Sequence, residues 1–411
     1  MDVVRESASA GRVVLFEESA RDGAQAKTLM SPEFRVRLAR ATGGIFGSDG
    51  PRHVVFAAGF PAVCGQEFEA VHRVAMEAEG AVSVAAVCRG ARRDVEQAVA
   101  SVRGSRHARV MIVVPASETM AQVMVHRTAT EALQAGVDLV KEARDLDDAV
   151  AVDVCLADAS RADHALMAHS AQAMTGAGAG LVVLADTVGA QLPPACGEMY
   201  TRVRAKAGGE VLLASHLHND LGLGLANTLQ ALASGVRVVS ASWLGIAERS
   251  GMVATEQLLF LLARHADELL GADAVPWWTA PDLTLLPGIA QMVAGETGVR
   301  LGVTTPIVGT GVATISTGTP FVHPQLFQPF DPQEVLGITP NVVLTQLASA
   351  RVITAVATRL GHTLDPDQTR AAMNWVKNRA YRTGGAVVDD AVFADYLDGL
   401  THHASPSGST R

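Results

Sequence analysis

The sequence has no long hydrophobic run. Its apolar stretches, such as Val110–Ala116 and Leu181–Ala185, are of strand length, whereas a membrane-spanning helix needs about 18–20 apolar residues. The positive mean hydropathy of +0.22 therefore reflects many Ala and Val residues suited to a soluble core. Residues Met1–Gly11 carry acids and no apolar stretch, which is not the pattern of a secretory signal. Cysteine is scarce. Cys64, Cys88, Cys155 and Cys196 show no C-x-x-C spacing, and a reduced, cytoplasmic protein is the simple expectation. Basic residues are also in short supply, with 33 Lys plus Arg against 42 Asp plus Glu and a net charge of -9. This excludes the basic footprint of a nucleic-acid binder and any attraction to an anionic membrane surface. Charged residues make up 18% of the 411 residues and apolar residues 48%, enough for a large core and too apolar for wholesale disorder.

What is present is an alternation. Short apolar runs occur at Val13–Glu18, His53–Ala58, Ala81–Val87, Ala108–Val114, Ala149–Leu156, Gly180–Ala185, Glu210–His216 and Val236–Trp243. Between them lie helical patterns, such as Phe34, Leu38 and Ala41, or Phe68, Val71, Val74 and Ala75. Several end in Gly, at Gly136, Gly178 and Gly235, as helix C-caps do. Near-continuous apolar strands alternating with helices predict a parallel sheet covered on both faces. Eight such units fit an α/β fold of the (β/α)8 TIM-barrel type. An open doubly wound sheet is the alternative. The expected organisation is an extension over 1–12, a barrel over 13–275, a loop-rich linker over 276–339, a helical region over 340–403 and a disordered tail over 404–411. Pro276, Pro281 and Pro287 mark the linker's start, and Ser, Gly and Pro dominate the tail.

Active-site groups of such barrels sit at the C-terminal ends of the strands. The first strand is followed by Arg21-Asp22-Gly23-Ala24-Gln25, the seventh ends in His216-Leu217-His218-Asn219-Asp220, and the eighth is followed by Gly245–Gly251. Strand side chains alternate, so His216 and His218 share one face. Two imidazoles with Asp22, brought near by barrel closure, suit one divalent metal with open positions for substrate oxygens. A pair of hydrogen-bonded core histidines is the alternative. Arg21 at the mouth would stabilise negative charge developing on a ketone oxygen. Thr187, after the sixth strand, is a candidate for binding a substrate carboxylate.

Taken together these motifs resemble the DRE-type TIM metallolyases. The matching segments are Arg21-Asp22-Gly23-x-Gln25, Gly59-Phe60-Pro61, Asp158-Ala159-Ser160-Arg161, Ala185-Asp186-Thr187-Val188-Gly189, His216-x-His218-Asn219-Asp220 and Gly245-Ile246-x-Glu248-Arg249-x-Gly251. Within that superfamily the chain is most similar to the homocitrate, 2-isopropylmalate and citramalate synthase branch. The resemblance implies a Claisen-type condensation of acetyl-CoA, or another acyl-CoA, with a 2-oxo acid. It implies one divalent metal (Mg, Mn, Zn or Co) on Asp22, His216 and His218. It further implies catalytic roles for Arg21, Glu248 and His323, substrate contacts from Gln25, Arg161, Thr187 and Asn219, and a homodimer. The chain stops short of the regulatory domain of isopropylmalate synthases, so feedback inhibition through such a domain is not expected.

The sequence departs from the branch at several positions. Ala57 stands where the second strand has Glu, Met120 replaces a His, Ala157 replaces an acid, and Met252 replaces an Asn near the metal. Thr317-Gly318-Thr319-Pro320 replaces a segment whose His helps enolise acetyl-CoA, and His323, three residues on, is the candidate replacement. The metal ligands and Arg21 are kept while the acid/base set is altered. A metal-dependent aldolase or lyase working without CoA, and a non-catalytic homologue, are the competing expectations.

Overall fold

Val, Ala and Leu fill eight strands that are buried along nearly their whole length. In the computed structural model, which describes residues 2–402, they are β1 (Val14–Glu17), β2 (Val54–Gly59), β3 (Ser83–Arg89), β4 (Ala108–Pro115), β5 (Ala151–Ala157), β6 (Ala179–Asp186), β7 (Leu213–Leu217) and β8 (Val238–Ala241). All eight match runs expected from the sequence, with ends moved by a few residues. They form a closed parallel barrel in sequence order. The closing pair is β1 with β8, in the register Val14↔Val238 to Glu17↔Ala241. That pairing removes the open-sheet alternative. Helices such as Pro32–Gly44, Gly65–Glu77 and Ala129–Leu146 cover the outside. Among the described residues no helix is long and apolar enough to cross a membrane.

The barrel interior is layered. Its middle alternates large side chains (Phe16, Val55, Val87, Met111, Leu181, Val183) with small ones (Ala57, Ala85, Ala185, Ala214), which lets neighbouring layers interdigitate. At the N-terminal end of the strands, Arg109 on β4 meets Asp153 on β5 through two hydrogen bonds of 2.9 and 2.7 Å. Asp2 adds a third carboxylate contact to the same guanidinium. The segment expected as an extension is thus a plug. Helix Val3–Ser9 buries Val4 and Ala8 against the interior, capped by Asp2 at the backbone of Val4 and Arg5.

The boundary between the chain's two compact units falls after Arg300, not at 275. Residues 276–300 belong to the first unit for two reasons. Trp277 is buried, with its ring 5.0 Å from that of Phe46 and 5.3 Å from that of His53. Pro287 sits in the first turn of helix Leu286–Thr297, where a proline starts a helix rather than breaking it. In the second unit, helices Ala350–Arg359, Pro366–Thr383 and Asp390–His402 gather Val352, Ile353, Val356, Ala372, Val376, Phe393 and Leu397. A capping box at Asp365 starts the middle helix. The tail 404–411 lies outside the described residues.

Arg109 and Asp153 are both essentially inaccessible. Replacing Asp153 by Ala strands a buried guanidinium and is expected to lower stability by about 3–5 kcal/mol, whereas replacing both partners by apolar residues costs much less. Denaturant unfolding of the single and double variants checks this. A single variant as stable as the parent would overturn the reading.

Candidate active site

At the end of β1 the chain turns sharply. The carbonyl of Glu18 accepts from the backbone N–H groups of Arg21 (3.1 Å), Asp22 (2.8 Å) and Gly23 (3.2 Å). Glu17, whose side chain is fully buried, braces this turn by accepting from the backbone and hydroxyl of Ser19 and from the backbone of Trp243. Burial pushes its carboxyl up to about 8 against those hydrogen bonds. The turn carries Arg21 and Asp22 to the C-terminal mouth of the barrel.

Two strands away round the closed barrel, β7 delivers His216, paired with Ala185 of β6, and His218 follows one residue after the strand. Both are buried. Asp22 Oδ2 lies 3.3 Å from His216 Nε2 and 3.9 Å from His218 Nε2, and the two Nε2 atoms are 3.3 Å apart. A metal with ligands at about 2.1 Å holds neighbouring ligand atoms about 3.0–3.4 Å apart; two sides of the triangle match this, and the 3.9 Å side between Asp22 and His218 would have to shorten by about half an ångström to share one small divalent ion. The donor set also fits, being two imidazoles and one carboxylate. His218 Nδ1 lies 3.2 Å from the carbonyl of Gly251. Donation of Nδ1–H there leaves Nε2 as the lone-pair atom. Gly251 has φ +86°, and a Cβ there would fall 2.1 Å from the Gly245 carbonyl, so this bend demands glycine.

Charge is concentrated here. Arg21 Nη1 donates to Asp22 Oδ2 at 2.6 Å, and the backbone N–H of Glu248 donates to Oδ1 at 3.0 Å. Burial opposes the charged Asp22, but the hydrogen bond to His216 and the charge of Arg21 hold its carboxyl far below the usual range. Burial likewise opposes the charged His216 ring. The carboxylates of Asp22 and Glu18, each 3.3 Å from a ring nitrogen, outweigh it and raise the ring to about 9. His218, buried and facing that cation, falls to about 4.

The other residues singled out in the sequence are distributed differently. The Thr187 hydroxyl accepts from the backbone of Asp158 at 2.8 Å, leaving its own proton to donate. Arg161 Nε is bound to Asp158 Oδ1 at 2.7 Å. Asn219 uses its side-chain oxygen on the backbone of Gly224 at 2.9 Å, starting helix Gly224–Ala233. The Glu248 side chain is half-exposed and pairs with Arg249, so what reaches Asp22 is its backbone. Gln25 is exposed. His323 lies in the second unit, exposed at the end of helix Gly318–Val322. Ala57, Cys155 and Ala157 leave the inner wall below the mouth apolar, and Met252 is buried beside His218, to which it is bridged.

Sequence reasoning passed over Glu18. Its side chain is fully buried, 3.3 Å from His216 Nδ1 and 3.8 Å from Arg21 Nη1. The signal was strand parity, since Val14 and Phe16 line the interior and residue 18 continues their side.

The fold and this cluster define a class, a (β/α)8 barrel with a two-histidine, one-carboxylate candidate metal centre at its mouth. Residues 12–293 match the HMGL-like family, and the chain belongs to it. The chain is 27% identical to 2-isopropylmalate synthase 1 of Caldanaerobacter subterraneus subsp. tengcongensis, covering 93% of this chain and 94% of that one. It is 30% identical to the 2-isopropylmalate synthase of Nitrobacter winogradskyi over 72% of this chain and 55% of the relative. The chain therefore spans nearly all of the first relative and about half of the second. Among solved structures, an HMG-CoA lyase of Bacillus subtilis superimposes with a TM-score of 0.58 at 20% identity, covering 72% of this chain and 97% of that one. That likeness concerns the fold.

In the metal-free protein His216 holds a proton below about pH 9, while His218 is neutral and Asp22 charged above about pH 4. Binding a metal at Nε2 of His216 must expel that proton. Affinity should therefore rise about tenfold per pH unit from pH 6 towards 9, with one proton released per ion. Calorimetry in buffers of different ionisation enthalpy measures both. An affinity flat over that range would contradict the assignment.

Proposed function

We propose that this protein is an acyltransferase that condenses acetyl-CoA, or another acyl-CoA, with a 2-oxo acid in a metal-dependent Claisen-type reaction. The acyl-CoA loses a proton from the carbon next to its carbonyl, that carbon bonds to the keto carbon, the alkoxide takes up a proton, and water cleaves the thioester to give a 2-hydroxy diacid of the isopropylmalate or homocitrate kind and free CoA. The observation that carries the reading is the convergence of Asp22, His216 and His218 with Arg21 at the barrel mouth. Near end-to-end similarity to a 2-isopropylmalate synthase supports it.

When bound, the divalent ion supplies a Lewis acid that polarises a keto oxygen. Asp22, His216 and His218 would hold it on the barrel rim. Arg21 is 13% exposed and keeps its charge at the same place, where an alkoxide oxygen develops as the new C–C bond forms. A fixed cation in a poorly hydrated site stabilises that oxygen more than water does. Thr187 has a hydroxyl proton free to donate to the acceptor's carboxylate. The apolar wall of Ala57, Cys155 and Ala157 favours an acceptor whose side chain is apolar rather than a second carboxylate. The same reading makes the protein a homodimer of a reducing cytoplasm. The four unpaired cysteines are consistent with that compartment.

Thiol release from acetyl-CoA with a panel of 2-oxo acids, with and without Mg, Mn or Zn, tests this directly. Release should require both metal and acceptor. His216→Ala should reduce it by at least the about 10–100-fold that follows loss of a mere outer-shell partner. Metal-loaded protein that releases no thiol with any acceptor would overturn the reading.

A further inference from the structure

The mouth of the barrel contains one carboxylate that neither the metal triangle nor the proposed chemistry uses. Glu18 is 0% exposed, and among the described residues neither of its carboxylate oxygens has a hydrogen-bond partner. Nδ1 of His216 is in the same condition, buried and without a hydrogen-bond partner. The two face each other, with Oε1 of Glu18 3.3 Å from Nδ1 of His216. Buried polar atoms are satisfied as a rule, and a small rotation of the ring turns this separation into a hydrogen bond. The opposite nitrogen of the ring, Nε2, is the one that faces Asp22 and His218.

We propose that Glu18 is a positioning residue for the candidate metal centre. Its carboxylate accepts the Nδ1–H of His216, so that the ring presents the lone pair of Nε2 to the ion shared with Asp22 and His218. The inference rests on reading those three residues as the ligands. An imidazole without such an anchor can bind through either nitrogen or turn over about its χ2 bond. His218 has an anchor of its own, the carbonyl of Gly251 at 3.2 Å. A carboxylate is the stronger acceptor, which makes His216 the better electron donor of the two. Glu18 can hold this place because β1 ends with its side chain inside the barrel. Its backbone N–H is still tied to the β8 carbonyl of Ala241 at 2.8 Å, so the closed sheet fixes where the carboxylate stands.

The test is metal affinity, measured by chelator competition on the full chain with Zn, Mn and Co. Glu18→Gln keeps the volume and removes the charged acceptor. It should weaken binding by about 10–100-fold and change the visible absorption of the Co-loaded protein, with the circular dichroism of the metal-free protein unaltered. In a His216→Ala background the same substitution should change affinity less than about twofold, because its route of action is gone. Equal affinities of Glu18→Gln and the parent would overturn the proposal. So would a loss that persists without His216, which would mark Glu18 as a general charge or a direct ligand. If Glu18→Gln does not fold, ¹⁵N-histidine spectra of the metal-loaded parent decide the matter. A protonated Nδ1 on His216 is expected, and metal on Nδ1 overturns the proposal. A parent that binds no ion would remove the ligand assignment and this inference with it.

Discussion

Pairing of β1 with β8 closes the barrel, and every distance in the candidate site depends on that closure. Asp22 and Arg21 follow the first strand, and His216 and His218 belong to the end of the seventh. In an open sheet the first and last strands would stand at opposite edges. Closure places only β8 between β1 and β7. A 3.3 Å approach between Asp22 and His216 is a consequence of sheet topology. No local propensity could produce it.

The same closure decides where charge can be buried. The middle of the interior is apolar, and ionic groups occupy its two ends. At the base, Arg109, Asp153 and Asp2 satisfy one another with a full set of hydrogen bonds. At the mouth the balance is incomplete. Two carboxylates, Asp22 and Glu18, face Arg21 and a histidine that must take up a proton to help neutralise them. A base whose charges are paired stabilises the fold. A mouth where two carboxylates face a single guanidinium is suited to receiving a cation.

The candidate ligand triangle of Asp22, His216 and His218 stands in surroundings of uneven polarity. Ala57 and Ala157 are buried without polar side chains, and Met252 lies buried beside His218. Glu18 places a buried carboxylate at Nδ1 of His216, the nitrogen that does not face Asp22. Polarity is concentrated on the candidate ligands and the groups that touch them, while the middle of the barrel interior is apolar.

The eight strands, the covering helices and the H-x-H pair were legible in the sequence because they rest on local rules. Burial on both faces makes parallel strands read as unbroken apolar runs, and a period of two places His216 and His218 on one side. Other features were not legible. Pro276, Pro281 and Pro287 read as a linker, yet Trp277 packs on Phe46 and Pro287 opens a helix of the first unit. The bonds from Asn219 to the Gly224 backbone and from Arg161 to Asp158 had no signature in the sequence. Glu17 and Glu18 were not singled out in the sequence. Strand parity sends one against Ser19 and Trp243 and the other against His216. Local sequence determined which elements form and which side chains share a face. The closed barrel alone decided which of those side chains meet, because contacts between residues so far apart in the chain are set by strand order and register.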